Sequence, residues 1–569
     1  MNADPAAFDA AACGVRAESS TFKCFAKPPL LIATDEHLHL PLHATRPPVK
    51  LLSWEKADSI VRHVSSKAEE EVWTTFAAHY RNCDAAAALW ESRDTSLDID
   101  PRRGSRLLPG DITTLLESAF AARVGNLSEL SQLDVFIACK IFTVVERFKH
   151  RRRIIAWPRA LNVAERRILS ELKARHVTVP FGRVKTLRNR AVKRYAAHLD
   201  LTKFFQQFEL LTRKRFAFVH NGVVYELSTV PTGAVGPPLL AQILVRAVVT
   251  YSIRVCGTTH LIVFDVMIDN ARICSDDADA ISATWNMIMT VFSDIGCTVG
   301  EMMAPSELPN YEFLGIAFDH ASVSVSLTEK MFAKVEHAID IIEFHAAQTT
   351  LADCLALFGT TVWVAQALDL PLAELYWVVK FTKRISNRAR NASLQQSAPI
   401  WNSITKLWAG WLRHALTYTG TVDQPSGSLQ TIHAYTDASD DGWGAVVFDE
   451  SGMAVLAGKW SAREHLLSIN RKELLAVWYM LLKYKPPHPG EPLRSMWLYI
   501  DNTTALSHVT KRLAGNYVAN SIIMGIEELK ANRGICIDHV EYVNTAANPA
   551  DAPSRWACAS SANTKTTSS

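Results

Sequence analysis

The period of apolar and polar positions changes along this chain, and the changes divide it. Thr431-Ile-His-Ala-Tyr-Thr-Asp437 alternates every second residue, as a half-buried strand does. Asp440-Asp441-Gly442 supplies turn chemistry, and Ala445–Phe448 reads as the returning strand. Asn470-Arg-Lys-Glu473 opens a helix in which Leu474, Val477, Trp478, Leu481 and Leu482 recur at helical spacing, with Pro486, Pro487 and Pro489 ending it. Ser495–Ile500 is a further strand with Asp501 at its end, and Asn548-Pro-Ala-Asp551 precedes a short final helix. Upstream, Leu130, Leu133, Phe136, Ile137 and Ile141 predict helix within 111–149. Residues 150–320 mix helices, such as Trp285–Ile295, with short β-rich runs at Phe216–Val219 and His260–Phe264. A helical connector follows over about 325–420, and Asp423-Gln-Pro-Ser-Gly-Ser428 reads as a linker. Residues 1–110 are uneven, with Pro47-Pro48 and an Ala-rich helical pattern near Ala85–Ser92, and no role is legible in them. The tail after Trp556 is rich in Ser, Thr and Ala and is expected to be disordered.

A length of 569 residues implies about three or four domains. Hydrophobic residues at 48% and charged residues at 21% fit a globular protein with real cores. The net charge of +3 is uninformative as a total, but its distribution is not. Between Arg147 and Arg194 basic residues crowd together, and only Glu146, Glu165 and Glu171 oppose them. Such a block suits phosphate contacts, and equally a solvated helical face. Ten cysteines occur without a CxxC pair or a Cys/His cluster, which argues against zinc and a disulfide framework and fits a reducing compartment. Arg246 and Arg254 interrupt the longest apolar run, so no membrane span is expected. The N-terminus carries Asp4, Asp9 and Glu18 and reads as neither signal nor transit peptide. An intracellular protein is expected, with cytoplasm and nucleus both open.

Taken singly, the C-terminal acids have ordinary explanations. Asp501 could cap the helix after it, and Glu473 could be a first-turn acid favoured by the helix dipole. Their surroundings are more specific. Tyr435-Thr-Asp437-Ala-Ser439 with Gly442-Trp-Gly444, Ile469-Asn470-x-x-Glu473-Leu, Asp501-Asn502 and Asn548-x-x-Asp551-x-x-Ser554-Arg555 follow one another in order. Together they resemble the ribonuclease H domain of retroelements. The resemblance implies that Asp437, Glu473, Asp501 and Asp551 bind metal and catalyse phosphodiester hydrolysis. Trp460-Ser461 followed by Ile469-Asn470 is similar to the tyrosine-recombinase retroelements, the DIRS type and the trypanosomatid VIPER-like elements among them. His539 precedes what reads as a strand and takes no assigned role.

The middle of the chain carries His198-Leu-Asp200-Leu-Thr-Lys-Phe-Phe205-Gln-Gln207. An acid ending a strand with an aromatic five residues on is a polymerase-like arrangement, and also a plain strand-to-turn with an N-cap Asp. Val230-Pro231-Thr-Gly233-Ala-Val-Gly236-Pro-Pro238-x-x-x-Gln242 is a Gly/Pro loop opening a helix. Val266-Met-Ile-Asp269-Asn270 reads as a β-hairpin with an acidic tip, or as an ordinary Asp-Asn turn. Phe313-Leu-Gly315-Ile316 comes last. In this order the pieces resemble a reverse transcriptase over about 145–320. The resemblance implies Asp200 and Asp269 as metal ligands and Phe205 as the sugar-gate aromatic. It implies Gln207 as a nucleotide- or template-binding residue, and Pro231, Gly233, Gly236 and Gln242 as a nucleotide and template loop. Arg152-Arg153-Ile-Ile-Ala-Trp-Pro-Arg159-Ala-Leu161-Asn162 would be the fingers strand, with Arg153 on the incoming triphosphate. Two positions depart from the family: Asn270 replaces the second hairpin acid, and Val299-Gly-Glu-Met-Met-Ala-Pro305 lacks the Lys often found there.

The expected fold is α+β and multidomain: a right-hand polymerase of fingers, palm and thumb, then a ribonuclease H-like mixed α/β domain. The expected boundaries are an N-terminal region at 1–110, fingers and palm at 111–320, thumb and connection at 321–430, ribonuclease H at 431–556 and a tail at 557–569. Two Mg²⁺ or Mn²⁺ ions would serve each site. The expected partners are an RNA template, a DNA primer, deoxynucleotides and the RNA–DNA hybrid. Two alternatives stay open: a ribonuclease H whose polymerase half is a degenerate clamp, and a domesticated RNA-binding scaffold.

Overall fold

In the N-terminal half, the most apolar stretch becomes a helix buried almost all round, as a helix without a polar face must be. The computed structural model describes residues 40–43, 51–81, 107–129, 137–146, 151–181, 184–208, 216–231, 233–418, 420–422, 431–485 and 494–562. It is mixed helix and sheet, and its described residues fall into two compact units divided between Val323 and Ser324.

In the first unit the helices are α1 (Trp54–Val64), α2 (Lys67–Arg81), α3 (Pro109–Glu117), α4 (Arg159–Ala174), the buried α5 (Gly236–Val255) and α6 (Ala278–Asp294). Ser53 caps α1 by accepting from Lys56 N–H, and Asp277 caps α6 through Ala280 N–H. Trp73, Phe76 and Tyr80 of α2 join Leu240, Ile243 and Leu244 of α5 in one core. Residues 54–81 are therefore integral to this unit.

Three sheets accompany these helices. β1 (Leu42–His43) runs parallel to β5 (Arg151–Trp157), which pairs antiparallel with β4 (Lys140–Glu146). β2 (Ala121–Asn126), β8 (Val223–Leu227), β7 (Phe216–His220) and β3 (Ile137–Ala138) form the second, in that order. The third has the order β11 (Met302–Glu307), β6 (Tyr195–Asp200), β10 (Asn270–Ser275), β9 (Val263–Met267). β12 (Asn310–Phe313) and β13 (Ile316–Asp319) make a hairpin whose tip, Leu314-Gly315, holds positive φ at both residues.

The helix expected within 111–149 is largely replaced by strands. Among the described residues there, α3 and the short 3-10 turn Leu127–Glu129 are helical; Ile137 lies in β3 and Ile141 in β4, while Leu130, Leu133 and Phe136 fall outside the described residues. Consecutive residues Ile141 to Val145 are all buried, so neither strand nor helix period shows in the sequence. His260–Ile262 also precede β9 rather than forming it.

In the second unit, α7 (Glu329–Phe344), α8 (Leu351–Leu368), α9 (Tyr376–Ala389) and α10 (Asn402–Thr417) share a core that includes Ile342, Leu357, Val364, Phe381, Trp408 and Leu412. Thr361 accepts the buried Trp408 indole N–H at 2.8 Å. β14 (Ser324–Leu327) pairs with β15 (Gly420–Thr421). A five-stranded sheet follows in the order β18 (Gly452–Lys459), β17 (Gly442–Asp449), β16 (Ile432–Ala438), β19 (Arg494–Ile500), β20 (Ile535–Tyr542). β16 is antiparallel to β17 and parallel to β19, and β19 is parallel to β20. α11 (Ile469–Lys483), α12 (Thr503–Lys511), α13 (Tyr517–Arg533) and α14 (Asp551–Ala562) complete it.

α14 carries helix through 557–562, where a disordered tail was expected; its Ala-rich end favours helix. Ala85–Ser92, the linker Asp423–Ser428, the prolines at 47, 48, 486, 487 and 489, and residues 563–569 lie outside the described residues. Contrary to the expectation of no span-length run, α5 and α8 are long and apolar enough to cross a membrane by length and composition. Their most apolar windows are 72% and 61% buried, as in core helices.

Candidate metal and nucleic-acid sites

Parallel pairing of β16 with β19 sets Thr436 opposite Ile500, so Asp437 and Asp501 emerge side by side at neighbouring strand ends. Glu473, in the second turn of α11, joins them. One carboxylate oxygen from each of the three lies within 4.8 Å of the others. Asp437 and Glu473 are each 4% exposed, and the Glu473 Oε2 atom is buried without a hydrogen-bond partner. Burial, with the charges of Asp501 and Asp437, pushes the Glu473 carboxyl up to about 9. Burial, with Asp501 and Asp551, pushes Asp437 up to about 6. Oxygen-only ligands, one of them buried and unsatisfied, fit a hard divalent cation.

The acids are held from outside the cluster. Buried Lys472 donates to the Asp440 carbonyl at 2.9 Å and fixes the β16–β17 turn. Asn502 caps α12 through Ala505 N–H and donates to the Asn470 side chain, tying the Asp501 and Glu473 segments together. Thr545 donates to Asp501 at 2.9 Å. Asn548 donates to the Thr436 carbonyl and Ser439 to the Ser554 carbonyl, which seats α14 against β16. Gly444, opposite Asp437 in the ladder, lets α14 come this close. A Cβ there would stand 2.4 Å from Ser554 N and 2.6 Å from Ala550 O.

These contacts decide between readings of the sequence. Asn502, not Asp501, caps α12, and Glu473 lies past the first turn and buried, so neither acid has its ordinary role. Asp551, the fourth acid expected, stands outside the group of three whose oxygens lie within 4.8 Å of one another. It accepts from Arg555 at 2.7 Å, one helical turn on, while still raising Asp437. His539 lies within β20 beside Trp497, not before a strand.

In the first unit, β6 and β10 set Asp200 opposite Asn270, and Leu201 N–H donates to the Asp269 carbonyl at 3.0 Å. Asp269 and Ile268 form the two-residue turn between β9 and β10, with Ile268 at φ 61°. Asn270 donates to Asp269 Oδ1 at 3.2 Å. Burial raises the Asp269 carboxyl, while Asn270 and the nearby Arg153 guanidinium pull it down. Arg153 and Asp269 are thus brought together. Lys203, not Asp200, occupies the N-cap of Phe204–Gln207, and Phe205 is half-buried there. Among the described residues, no third acid joins Asp200 and Asp269 in a metal-sized cluster.

Several expected ligand contacts are instead taken up inside the protein. Gln207 is fully buried; its amide donates to the Thr202 and Thr298 carbonyls and accepts from Thr298 N–H. Gln242 is 1% exposed; it accepts from Ile268 N–H at 2.7 Å and donates to the Val266 and Pro180 carbonyls, bracing the hairpin that carries Asp269. Pro231 is buried. Gly233 lies against β5, where a Cβ would meet Ala156 O at 2.6 Å, and Gly236 against Glu165 and Phe76. Asn162 and Glu165 of α4 bind this loop: Asn162 bonds Gly233 O and Val235 N–H, and Glu165 accepts from Gly236 N–H and the Tyr80 hydroxyl. The sequence reading met Asn162 only as the end of the fingers motif and Glu165 only as an acid opposing the basic block, and missed this role. Their signal was two polar side chains spaced i, i+3 in the first half of a helix that is otherwise basic and apolar until Ser170 and Glu171.

No family model and no curated protein matches the chain. Its fold is similar to solved structures of the foamy viral protease-reverse transcriptase. A dRH form in complex with double-stranded DNA is 13% identical at TM-score 0.41, covering 88% of this chain and 84% of that one. The protein in complex with RNA/DNA hybrid gives the same identity and score, and this chain spans 64% of its length. The protein in complex with double-stranded DNA gives 13% and 0.40, with 99% of its chain covered. Likeness at that score carries no functional weight, which rests on the residues themselves.

Proposed function

We propose that the chain is an RNA-directed DNA polymerase with ribonuclease H activity, from a retroelement of the tyrosine-recombinase type. In this reading Ala17–Val323 supplies fingers and palm, the four-helix segment α7–α10 supplies thumb and connection, and residues 431–562 form the ribonuclease H domain. The observation that carries it is the buried Asp437–Glu473–Asp501 cluster with its unpartnered carboxylate oxygen, set among the ribonuclease H motifs. A pair of Mg²⁺ or Mn²⁺ ions there would supply hydroxide and stabilise the leaving oxygen. Asp437 and Asp501 hold fixed positions at strand ends, and Asp551 approaches by releasing Arg555.

For synthesis, Asp200 and Asp269 face the reacting phosphate, Arg153 neutralises the incoming triphosphate, and Phe205 lies against the sugar. Positioning and charge stabilisation do most of the work in such phosphoryl transfer. The template is RNA, the primer DNA, and the product hybrid is the substrate of the C-terminal site. Hybrid recognition rests on backbone and groove shape.

The test is primer extension on an RNA template with Mg²⁺ and with Mn²⁺, beside cutting of a hybrid labelled in its RNA strand. Extension and cutting by the wild type are expected. Folded protein that extends nothing while Asn270→Asp extends well would refute an active polymerase. Equal cutting by the wild type and Asp437→Asn would place the nuclease chemistry elsewhere. Asn270, where a second acid is expected, favours one competing reading: a nuclease with a clamp-like polymerase half. That reading predicts cutting without incorporation.

A further inference from the structure

α9 is amphipathic in an uncommon way. Val378, Val379, Phe381, Thr382, Ile385 and Ala389 are buried, while Trp377, Lys380, Arg384 and Asn387 form one stripe at spacings of three and four. The helix carries Lys380, Lys383, Arg384 and Arg388 and no acid. A basic helical face alone is usually just solvated. Here it is joined to exposed aromatic surface. Trp377 is 51% exposed and stacks on Tyr517, itself 58% exposed, with ring centroids 5.9 Å apart and planes 28° apart. Arg384 lies 5.2 Å over the Trp401 ring. Between them lies a cavity of about 330 Å³, lined by Trp377, Lys380, Lys383, Arg384, Asn387 and Trp401. Lys380 donates to the Gly515 carbonyl at 2.8 Å, which fixes the Tyr517 end of α13 to α9.

The patch and the acid cluster lie in the same compact unit. Asp501 stands just before α12, and Tyr517 is the sixth residue past its end. α12, nine residues long, and the turn after it join the Asp501 end of the acid cluster to the Tyr517 end of the patch.

We infer that the α9 face, with Trp377, Trp401 and Tyr517, binds a nucleic-acid strand, continuous with the one whose phosphodiester lies at Asp437, Glu473 and Asp501. Lys383 and Arg384 contact its phosphates, and the Trp377–Tyr517 pair offers a stacking surface for a sugar or base. The cations give charge complementarity and the aromatic rings give sequence-tolerant contact. An acidic protein segment would need the first and not the second. The inference rests on the nuclease reading above, and its test separates the two.

The full chain is titrated with a fluorescent RNA–DNA hybrid in Ca²⁺ at several salt concentrations, as wild type, as Lys383→Gln/Arg384→Gln, and as Trp377→Ala/Tyr517→Ala. Single-turnover cutting in Mg²⁺ and the thermal shift caused by Mn²⁺ are measured on the same preparations. The charge variant is expected to weaken binding about 10-fold and to lower the slope of log Kd against log salt by about 2. The aromatic variant should weaken binding with the slope unchanged, and both should keep the Mn²⁺ shift. Hybrid binding and salt slope unchanged in the charge variant would overturn the inference. Binding that depends on both cations in a protein that cuts nothing would sink the nuclease reading and leave this surface standing. Cutting with binding indifferent to them would do the reverse.

Discussion

The two acidic sites handle buried charge in opposite ways. In the first unit, buried charge lies one residue layer away from the candidate acids and is neutralised. Asp265 on β9 bonds Arg272 on β10 and Arg190, and Arg272 also donates to Tyr311 and the Leu187 carbonyl. The Phe313 and Phe318 rings flank that guanidinium. At the hairpin tip itself, Asn270 stands where an acid is expected and Arg153 offsets Asp269. In the second unit the charge is concentrated within the site, with two carboxylates nearly excluded from water, a third beside them and one oxygen unpartnered. The first arrangement is complete as it stands. The second is stable in its charged form only with a cation, which is why it identifies its ligand more sharply.

The widest separation between the sites should appear in catalysis. Asp437→Asn is expected to lower hybrid cutting by at least 10²- to 10³-fold, the scale of losing one electrostatic contact to a reacting phosphate. Primer extension should be untouched. Asp269→Asn should do the converse. Measured on one preparation of each variant, loss of both activities from either single change would break the division into two independent sites.

Stability should separate them next. Asp265→Ala leaves two guanidinium groups, one wholly buried, without their carboxylate. Breaking a buried pair in this way costs about 3–5 kcal/mol. Chemical unfolding should show that loss in the transition of the first unit, with the Mn²⁺ shift of the second retained. A loss under 1 kcal/mol would mean that Arg272 is held by Tyr311, Leu187 and the flanking rings, and the account of this layer would fail.

pH sharpens the same contrast. Asp437, near 6, and Glu473, near 9, both stand above the ordinary carboxylate value near 4. Between those values the folded chain binds more protons than the unfolded one, so metal-free stability falls as pH rises. The Asp437 part of the fall runs from about pH 4 to 6 and is worth up to about 3 kcal/mol; the Glu473 part continues toward pH 9. Mg²⁺ or Mn²⁺ should restore stability most at the alkaline end. Thermal unfolding of wild type and Asp437→Asn from pH 5 to 9, with and without Mn²⁺, checks this. Metal-free curves that rise toward pH 9 would refute it.

The sequence made the C-terminal acids legible because each sits in a short local motif and because strand alternation and helix period place the elements. It could not show that Asp551 pairs with Arg555, since both partners have other uses in the motif. In the first unit, Asp200 and Asp269 were readable from strand ends. Gln207 and Gln242 were read as ligand contacts because a sequence does not reveal which amides are buried. The Arg272–Asp265–Arg190 layer and the Glu165 contacts to Gly236 and Tyr80 join residues up to 85 positions apart, and no local pattern announces them. β4 was misread because five consecutive buried residues, Ile141 to Val145, leave no alternation to detect.

The subtlest change would make the first site resemble the second. Asn270→Asp places another carboxylate beside Asp269, where the amide now donates to Oδ1. Two like charges about 4 Å apart near a protein surface cost about 1–4 kcal/mol, and Arg153 offsets part of that. Metal-free stability of the first unit at pH 8 should therefore fall by about 1 kcal/mol, and added Mn²⁺ should recover it. The wild type should show no such recovery in this unit. The readout is the first unfolding transition in Asp437→Asn protein, so that the C-terminal site adds no metal dependence. If Asn270→Asp leaves that transition independent of both pH and Mn²⁺, the second position does not face the metal-binding side of the hairpin. The contrast between the sites would then reduce to burial alone.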